Sequence, residues 1–282
     1  MKIAVIGARG MLGRELCRVL GAEHEILAWD IQEIDITDRT GTLAKLPPER
    51  PELIINTAAF VNLEACEAEP DKCWRINVVG AQNLALAAQA CGSALLYICT
   101  DYIFDGNTSH DYDEVANPNP LNHYGRAKLA GERLSLQICP RTYSIRTAWI
   151  YGHAPNNYVA RVLQTADQAG VVRMPIDQLE SPTYTVDLAE AIRALIRTGA
   201  YGIYNITGLG ACTRAEFAEF VLAAAGRSEQ VEIVDSSTIQ RTTPRPARVV
   251  LDCRLFQLVT GHTLPLWQEG VRAYLAREQT HE

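Results

Sequence analysis

The sequence predicts an α/β protein built on a doubly wound parallel sheet, with a smaller C-terminal lobe beside it. Three observations carry this. Short continuous apolar runs, the pattern of strands buried on both faces, recur through the first half of the chain. Stretches with helical apolar spacing separate them. The first run ends in Gly7-Ala-Arg-Gly10-Met-Leu-Gly13, a glycine turn that leads directly into a helix.

Taken in order, Ile3–Ile6 is the first strand, and Met11 to Leu20 has helical spacing. Glycines let a backbone approach a pyrophosphate, and a helix N-terminus offers free N–H groups at the positive end of its dipole. Gly7, Arg9, Gly10, Met11, Leu12 and Gly13 are therefore candidate contacts for a dinucleotide. A second strand, Glu25 to Trp29, ends at Asp30, where a carboxylate can accept from the adenosine ribose hydroxyls. That carboxylate repels a 2′-phosphate and favours NADH, whereas Arg9 could pair with the same phosphate and favours NADPH. Asp35-Ile36 follows, then a helix-like stretch to Pro47-Pro48. Leu53 to Asn56 is the third strand, and the small residues Thr57-Ala58-Ala59 after it leave room for a flat ligand. A long helical pattern from Pro70 to Cys91 carries Asn77. Buried there, Asn77 must find a hydrogen-bond partner; exposed, it is unremarkable.

Leu95 to Cys99 is the fourth strand, with Thr100 at its carboxyl end, the edge where open α/β sheets bind ligands. Tyr143 to Thr147 is the fifth. After Gly152 the character changes to a polar loop, residues 153–158, followed by a helix-like stretch from Tyr158 to Ala169. Val186 to Arg197 reads as an amphipathic helix, and Gly202 to Ile206 as a strand returning to the sheet. Thr213, with Glu216 three residues on, forms a capping box for a helix to Ala225. Residues 236–248 hold Arg241, Arg245 and Arg248 among Thr and Pro, a basic island suited to a diphosphate. The expected division is a dinucleotide-binding domain over 1–152, its sheet completed by about 186–206, and a substrate-binding lobe from 153–185 and 207–282.

With 48% hydrophobic and 21% charged residues, the 282-residue chain can bury a sizeable core. Its net charge of −7 argues against nucleic acid as the main partner. The eight cysteines lack zinc-ligand spacing and read as reduced, mostly buried thiols, and no metal is expected. No signal peptide and no membrane-length apolar run is seen, so a cytoplasmic protein without membrane partners is expected. The oligomeric state is not legible; a homodimer stays open.

The stretch 95–128 holds the chemistry. Tyr124 and Lys128, four apart on a helix, share one face. A phenol titrates near about 10, and a neighbouring ammonium favours its ionised form. Alone, such a pair is common on solvated helices; here it follows the Thr100 strand end and a loop rich in Asp, Asn, Gly and Pro.

These motifs together resemble the extended short-chain dehydrogenase/reductases and, more closely, the dTDP-4-dehydrorhamnose reductases. The resemblance rests on the three glycines, Asp30, Asp35-Ile36, Asn56-Thr-Ala-Ala59 and Asn77, together with Thr100-Asp-Tyr-Ile-Phe-Asp-Gly106. It continues through Pro120 to Glu132, Arg146 to Gly152, Ser181-Pro-Thr-Tyr184 and Arg245-Pro246. It implies a Rossmann-like fold and reduction, by NADH or NADPH, of the 4-keto group of a nucleotide-activated 6-deoxy sugar. It further implies that Tyr124 protonates the carbonyl oxygen and that Thr100 hydrogen-bonds it. Lys128 would lower the phenol pKa and hold the nicotinamide ribose. Asp35, Ile36, Ala58, Ala59 and Asn77 join the cofactor contacts, and Tyr102, Trp149, Tyr151, Asn157 and Arg245 face the substrate. The chain departs from the family pattern at Val61 and at Arg248-Val249, both on the substrate side. Two other activities share these motifs: a non-catalytic dinucleotide-binding regulatory subunit, and a sugar-nucleotide epimerase or dehydratase.

Overall fold

The structure is a computed structural model that describes residues 1–154, 157–227, 230–234 and 242–279. Arg241 of the basic island lies outside the described residues. The chain runs β1 (Lys2–Ile6), α1 (Met11–Gly21), β2 (Glu25–Trp29), α2 (Arg39–Glu49) and β3 (Leu53–Asn56). Two short helices follow, α3 (Leu63–Ala68) and α4 (Pro70–Trp74), and α4 continues through a widened π turn at Arg75–Gly80 into α5 (Ala81–Cys91). Next come β4 (Ala94–Thr100), α6 (His123–Ile138) and β5 (Thr142–Thr147). Then come β6 (Ile150–Tyr151), α7 (Tyr158–Ala169), β7 (Val171–Met174), β8 (Leu179–Glu180), β9 (Thr183–Tyr184) and α8 (Thr185–Ile196). The chain closes with β10 (Gly202–Asn205), β11 (Cys212–Thr213), α9 (Arg214–Ala224), β12 (Gln230–Ile233), β13 (Arg248–Val249), α10 (Arg254–Thr260) and α11 (Trp267–Gln279).

Six parallel strands form the main sheet in the order β10-β5-β4-β3-β1-β2. Alternate residues of each strand feed opposite faces, which is why these strands read as unbroken apolar runs. Ile3, Val5, Leu53, Ile55 and Leu96 pack under α1, α8 and α10. Ala4, Ile6, Ile54 and Leu95 pack on the other face with Leu46 of α2 and Leu84 to Ala88 of α5. Strand order reverses between β1 and β3, so the loops after these two strands splay apart and open a crevice at the carboxyl edge of the sheet.

A second apolar core gathers α7, α9 and α11 around Val159, Val162, Phe217, Val221, Trp267 and Tyr274. Smaller sheets, β11-β8-β13 and β12-β7, sit with it. The capping box at the start of α9 is present in full: Thr213 Oγ1 accepts from Glu216 N, and Glu216 Oε2 accepts from Thr213 N at 2.7 Å. No helix among the described residues is long and apolar enough to cross a membrane. All eight cysteines are free thiols, with Cys17 and Cys91 partly exposed and the other six buried.

Candidate active site

The crevice over the switch point holds two adjoining cavities, one of about 650 Å³ and one of about 600 Å³, that share Gly10, Thr57 and Ala59 in their walls. They form one trough, with Asp30 at one end and the Tyr124 helix at the other.

The glycine turn is built for close approach. Gly7 has φ +84°, and a Cβ on it would lie 2.7 Å from Thr57 Oγ1 and 2.8 Å from Ala58 N. A Cβ at Gly13 would meet Gly7 O at 2.2 Å. Both are therefore fixed by the protein's own packing. Gly10 is different: its Cβ would approach only Gly7 O, at 3.1 Å, and it faces both cavities. The room kept clear there is room for a ligand, and α1 begins at this point without a side-chain cap on its free N–H groups. Met11, Leu12 and Gly13 continue the wall toward Tyr124. These residues fit a dinucleotide pyrophosphate.

At the other end, Asp30 accepts from the backbone N–H of Arg9 at 2.9 Å and of Ile31 at 2.8 Å. Arg9 does not stand free: its guanidinium donates to both oxygens of Glu33, at 2.6 and 2.7 Å, and to Gln32. Arg9 beside it holds the Glu33 carboxyl down to about 2. Asp35, Ile36, Ala58 and Ala59 line this cavity with Asp30.

Asn77 does not line either cavity. Its Oδ1 accepts from Phe60 N at 2.9 Å and its Nδ2 donates to Phe60 O at 2.9 Å, so the amide is used up pinning the loop after β3. The π turn that carries it brings the side chain inward to reach that loop. Its influence on a ligand passes through Ala58-Ala59 and not through direct contact.

Tyr124 enters the trough from the first turn of α6. Asn122 caps that helix by accepting from Gly125 N at 2.8 Å, and Glu67 accepts from His123 N at 2.7 Å. Gly125 lets the turn pack against the chain after β4; a Cβ there would lie 2.1 Å from Tyr102 O. Thr100, Tyr102, Tyr124 and Lys128 line one cavity. The hydroxyls of Thr100 and Tyr124 are within hydrogen-bonding reach, and the Tyr102 ring meets the Tyr124 ring edge-on at 6.1 Å.

One expectation fails here. The Tyr124 phenol stands above its ordinary value, not below it: burial drives the rise, Asp101 adds to it, and the Thr100 hydroxyl pulls against it. Lys128 is itself buried, its pKa lowered to about 8 by desolvation, and its Nζ donates to the Ile98 carbonyl at 2.6 Å. A buried ammonium committed to a backbone carbonyl does not outweigh the loss of water around the phenol.

On the substrate side the expectations divide. Tyr102, Trp149 and Arg245 line the cavity. Trp149 takes a left-handed backbone with φ +38°, which aims its ring into the cleft, where the Arg214 guanidinium lies 3.7 Å over the ring centroid. Such a conformation costs about 1–3 kcal/mol and persists only where its surroundings enforce it. Tyr151 and Asn157 do not reach the cleft. Tyr151 is fully buried in the second core, donating to Trp267 O at 3.2 Å. Asn157 caps α7, accepting from Ala160 N at 2.9 Å and donating to the Tyr274 hydroxyl. The basic island also divides: Arg245 faces the cleft, while Arg248 pairs with Asp111 at 2.6 Å. The other guanidinium groups at the cavity are those of Arg161 and Arg214, which came from helices whose amphipathic spacing hid them. Gln178 and Glu180 line it as well, with Glu180 buried and accepting from Arg214 at 3.0 Å. Val61, where the family pattern differs, lies on the same wall and is 62% exposed.

Comparison with known proteins agrees with this geometry. The family model described as "RmlD substrate binding domain" matches residues 1–280. The spore coat polysaccharide biosynthesis protein SpsK of Bacillus subtilis is 36% identical, over 97% of this chain and 96% of its own. The dTDP-4-dehydrorhamnose reductase of Aggregatibacter actinomycetemcomitans is 33% identical over 97% and 99%. Among solved structures, a dTDP-4-dehydrorhamnose reductase from Bacillus anthracis in complex with NADP superimposes with a TM-score of 0.95 at 32% identity, covering 98% and 99%. Matched from end to end by that model and by relatives a third identical, the chain belongs to the RmlD substrate binding domain family, within the extended short-chain dehydrogenase/reductases.

Proposed function

We propose that the protein reduces the 4-keto group of a nucleotide-activated 6-deoxy sugar, with dTDP-4-dehydrorhamnose as the substrate and dTDP-rhamnose as the product, using NADPH or NADH. The observation that carries this reading is that Thr100, Tyr124 and Lys128 share one cavity wall with Gly10 to Gly13. A ketone beside Tyr124 is then also beside the end of a dinucleotide laid along the glycine turn. When bound, the reduced dinucleotide supplies the hydride.

The chain's own part is proton supply and placement. A phenol held above its ordinary value is fully protonated at neutral pH, the state an acid needs before it can give its proton to the carbonyl oxygen. Thr100 hydrogen-bonds that oxygen and fixes it over Tyr124. As the phenol ionises, the Lys128 ammonium four residues on lies on the same helix face and stabilises the phenolate. Trp149 and Tyr102 wall the sugar, and Arg245 with Arg214 faces the diphosphate. Arg214 balances Glu180 at 3.0 Å and Arg245 reaches Glu64 at 3.5 Å, but the buried Nε of Arg245 meets no partner among the described residues, so Arg245 keeps a donor to spare.

The test is net turnover. Purified protein given dTDP-4-dehydrorhamnose should oxidise one dinucleotide per sugar reduced. Sugar conversion without net oxidation of dinucleotide indicates an epimerase or dehydratase. Binding without consumption across a panel of keto sugars indicates a regulatory subunit.

A further inference from the structure

The cleft holds an acidic side chain that this reaction, as described, does not use. Asp101 follows Thr100 at the end of β4 and is 2% exposed. Its Oδ1 accepts from the Thr100 hydroxyl at 3.0 Å, and its buried Oδ2 meets no hydrogen-bond partner among the described residues. A buried carboxylate with an oxygen that meets no donor is costly, whereas the neutral acid avoids that cost and can carry its proton on Oδ1, facing Thr100. The groups facing it are Glu180 from β8, Arg214 from the start of α9, Tyr102 beside it and Tyr124 from α6. Burial, reinforced by Glu180, holds the Asp101 carboxyl well above the usual carboxylate range. Arg214 pulls the other way, but it is already paired with Glu180.

Each reduction takes one proton from Tyr124, which must be reloaded before the next. We infer that Asp101 is the donor that reloads Tyr124, through the hydroxyl of Thr100. The inference rests on the reductase reading above. Thr100 Oγ1 has one proton to give and two lone pairs. The Tyr102 N–H occupies one lone pair at 3.2 Å. With the acid proton on Oδ1 the 3.0 Å contact runs the other way: Asp101 donates into the second lone pair of Thr100 Oγ1, and the Thr100 proton is free for the Tyr124 phenolate. In the relay the Asp101 O–H bond breaks as a new Thr100 O–H bond forms. The original Thr100 O–H bond breaks as the Tyr124 O–H bond forms. Water entering after product release returns a proton to the Asp101 carboxylate. One solvent proton is consumed per hydride, as a ketone reduction requires.

Asp101→Asn keeps the shape and cannot carry the relay. Rapid mixing of this variant with NADPH and dTDP-4-dehydrorhamnose separates the first turnover, made with a preloaded Tyr124, from later ones. The relay predicts a first turnover within about threefold of the parent and a steady rate at least about tenfold lower, so that about one equivalent of dinucleotide is consumed in a burst. Imidazolium or acetic acid added as a small proton donor should restore the steady rate. First and later turnovers slowing together, or a steady rate equal to the parent's, overturns the relay. A parent protein with no first turnover overturns the reductase reading and the relay with it. Glu180→Gln is the second variant, in case Asp101→Asn does not fold. Removing that charge lowers the Asp101 carboxyl, so the ratio of steady rate to first-turnover rate, in which the Lys128 dependence cancels, should fall at lower pH than in the parent; an unmoved ratio overturns the relay.

Discussion

Lys128 donates from Nζ to the carbonyl of Ile98 at 2.6 Å, with the Tyr97 ring 4.3 Å from the same nitrogen. This buried seat, and not the phenol, sets the charge of the amine: desolvation brings its pKa to about 8.

The first-turnover rate should therefore depend on pH in a definite direction. Below about 8 Lys128 is an ammonium and stabilises the phenolate; above it the charge is lost. The rate is expected to fall by roughly tenfold per unit once pH passes about 8, approaching a lower plateau. A profile flat to pH about 10 contradicts this assignment.

Asn77→Ala removes both hydrogen bonds to Phe60 and leaves that half-buried backbone unpaired. The expected cost is about 1–3 kcal/mol in stability. Dinucleotide affinity, measured by fluorescence titration, should fall on the order of tenfold as Ala58-Ala59 shifts. Unchanged affinity would mean that the loop holds its place without this clamp.

Cofactor choice should turn on the Arg9–Glu33 pair. Glu33→Gln releases the guanidinium from its partner, and the freed cation can meet a 2′-phosphate. The ratio of NADPH to NADH affinity is expected to rise about fivefold or more. Asp30→Ala should weaken NADH more than NADPH. Equal effects on the two cofactors would place the ribose elsewhere.

Glu132→Ala tests the frame behind the site. Glu132 accepts from Arg146 at 2.8 and 3.1 Å and from Ser144 at 2.8 Å, with both charged side chains buried between α6 and β5. Removing one partner leaves a buried unpaired guanidinium, and a loss of about 3–5 kcal/mol in denaturant unfolding is expected. Glu132→Gln should recover part of it. A loss below about 1 kcal/mol would show that water reaches the pair.

The parallel sheet was legible because each strand, buried on both faces, reads as an unbroken apolar run. The glycine turn was legible because Gly7 and Gly13 admit no Cβ. The Thr100, Tyr124 and Lys128 placement followed from a strand end and a helical spacing of four. What was hidden depended on tertiary packing. Nothing in the local sequence separates Tyr151, sealed in the second core, from Trp149 two residues earlier, turned into the cleft by a left-handed backbone. Asn157 read as a polar loop residue and is a helix cap; the cap signal was present, an Asn directly before a helical run. Arg214 and Glu180 are far apart in sequence, so their pairing at the cleft had no local signature. The direction of the Tyr124 shift was misread because burial of the phenol, which sequence spacing does not report, outweighs a neighbouring amine.

The most direct test compares the parent protein with Tyr124→Phe in single-turnover mixing with NADPH and dTDP-4-dehydrorhamnose, together with dinucleotide binding. The account predicts binding within a few-fold of the parent and a hydride-transfer rate lower by roughly 10²–10⁴. A variant that reduces the sugar at close to the parent rate would show that the proton comes from somewhere other than this phenol.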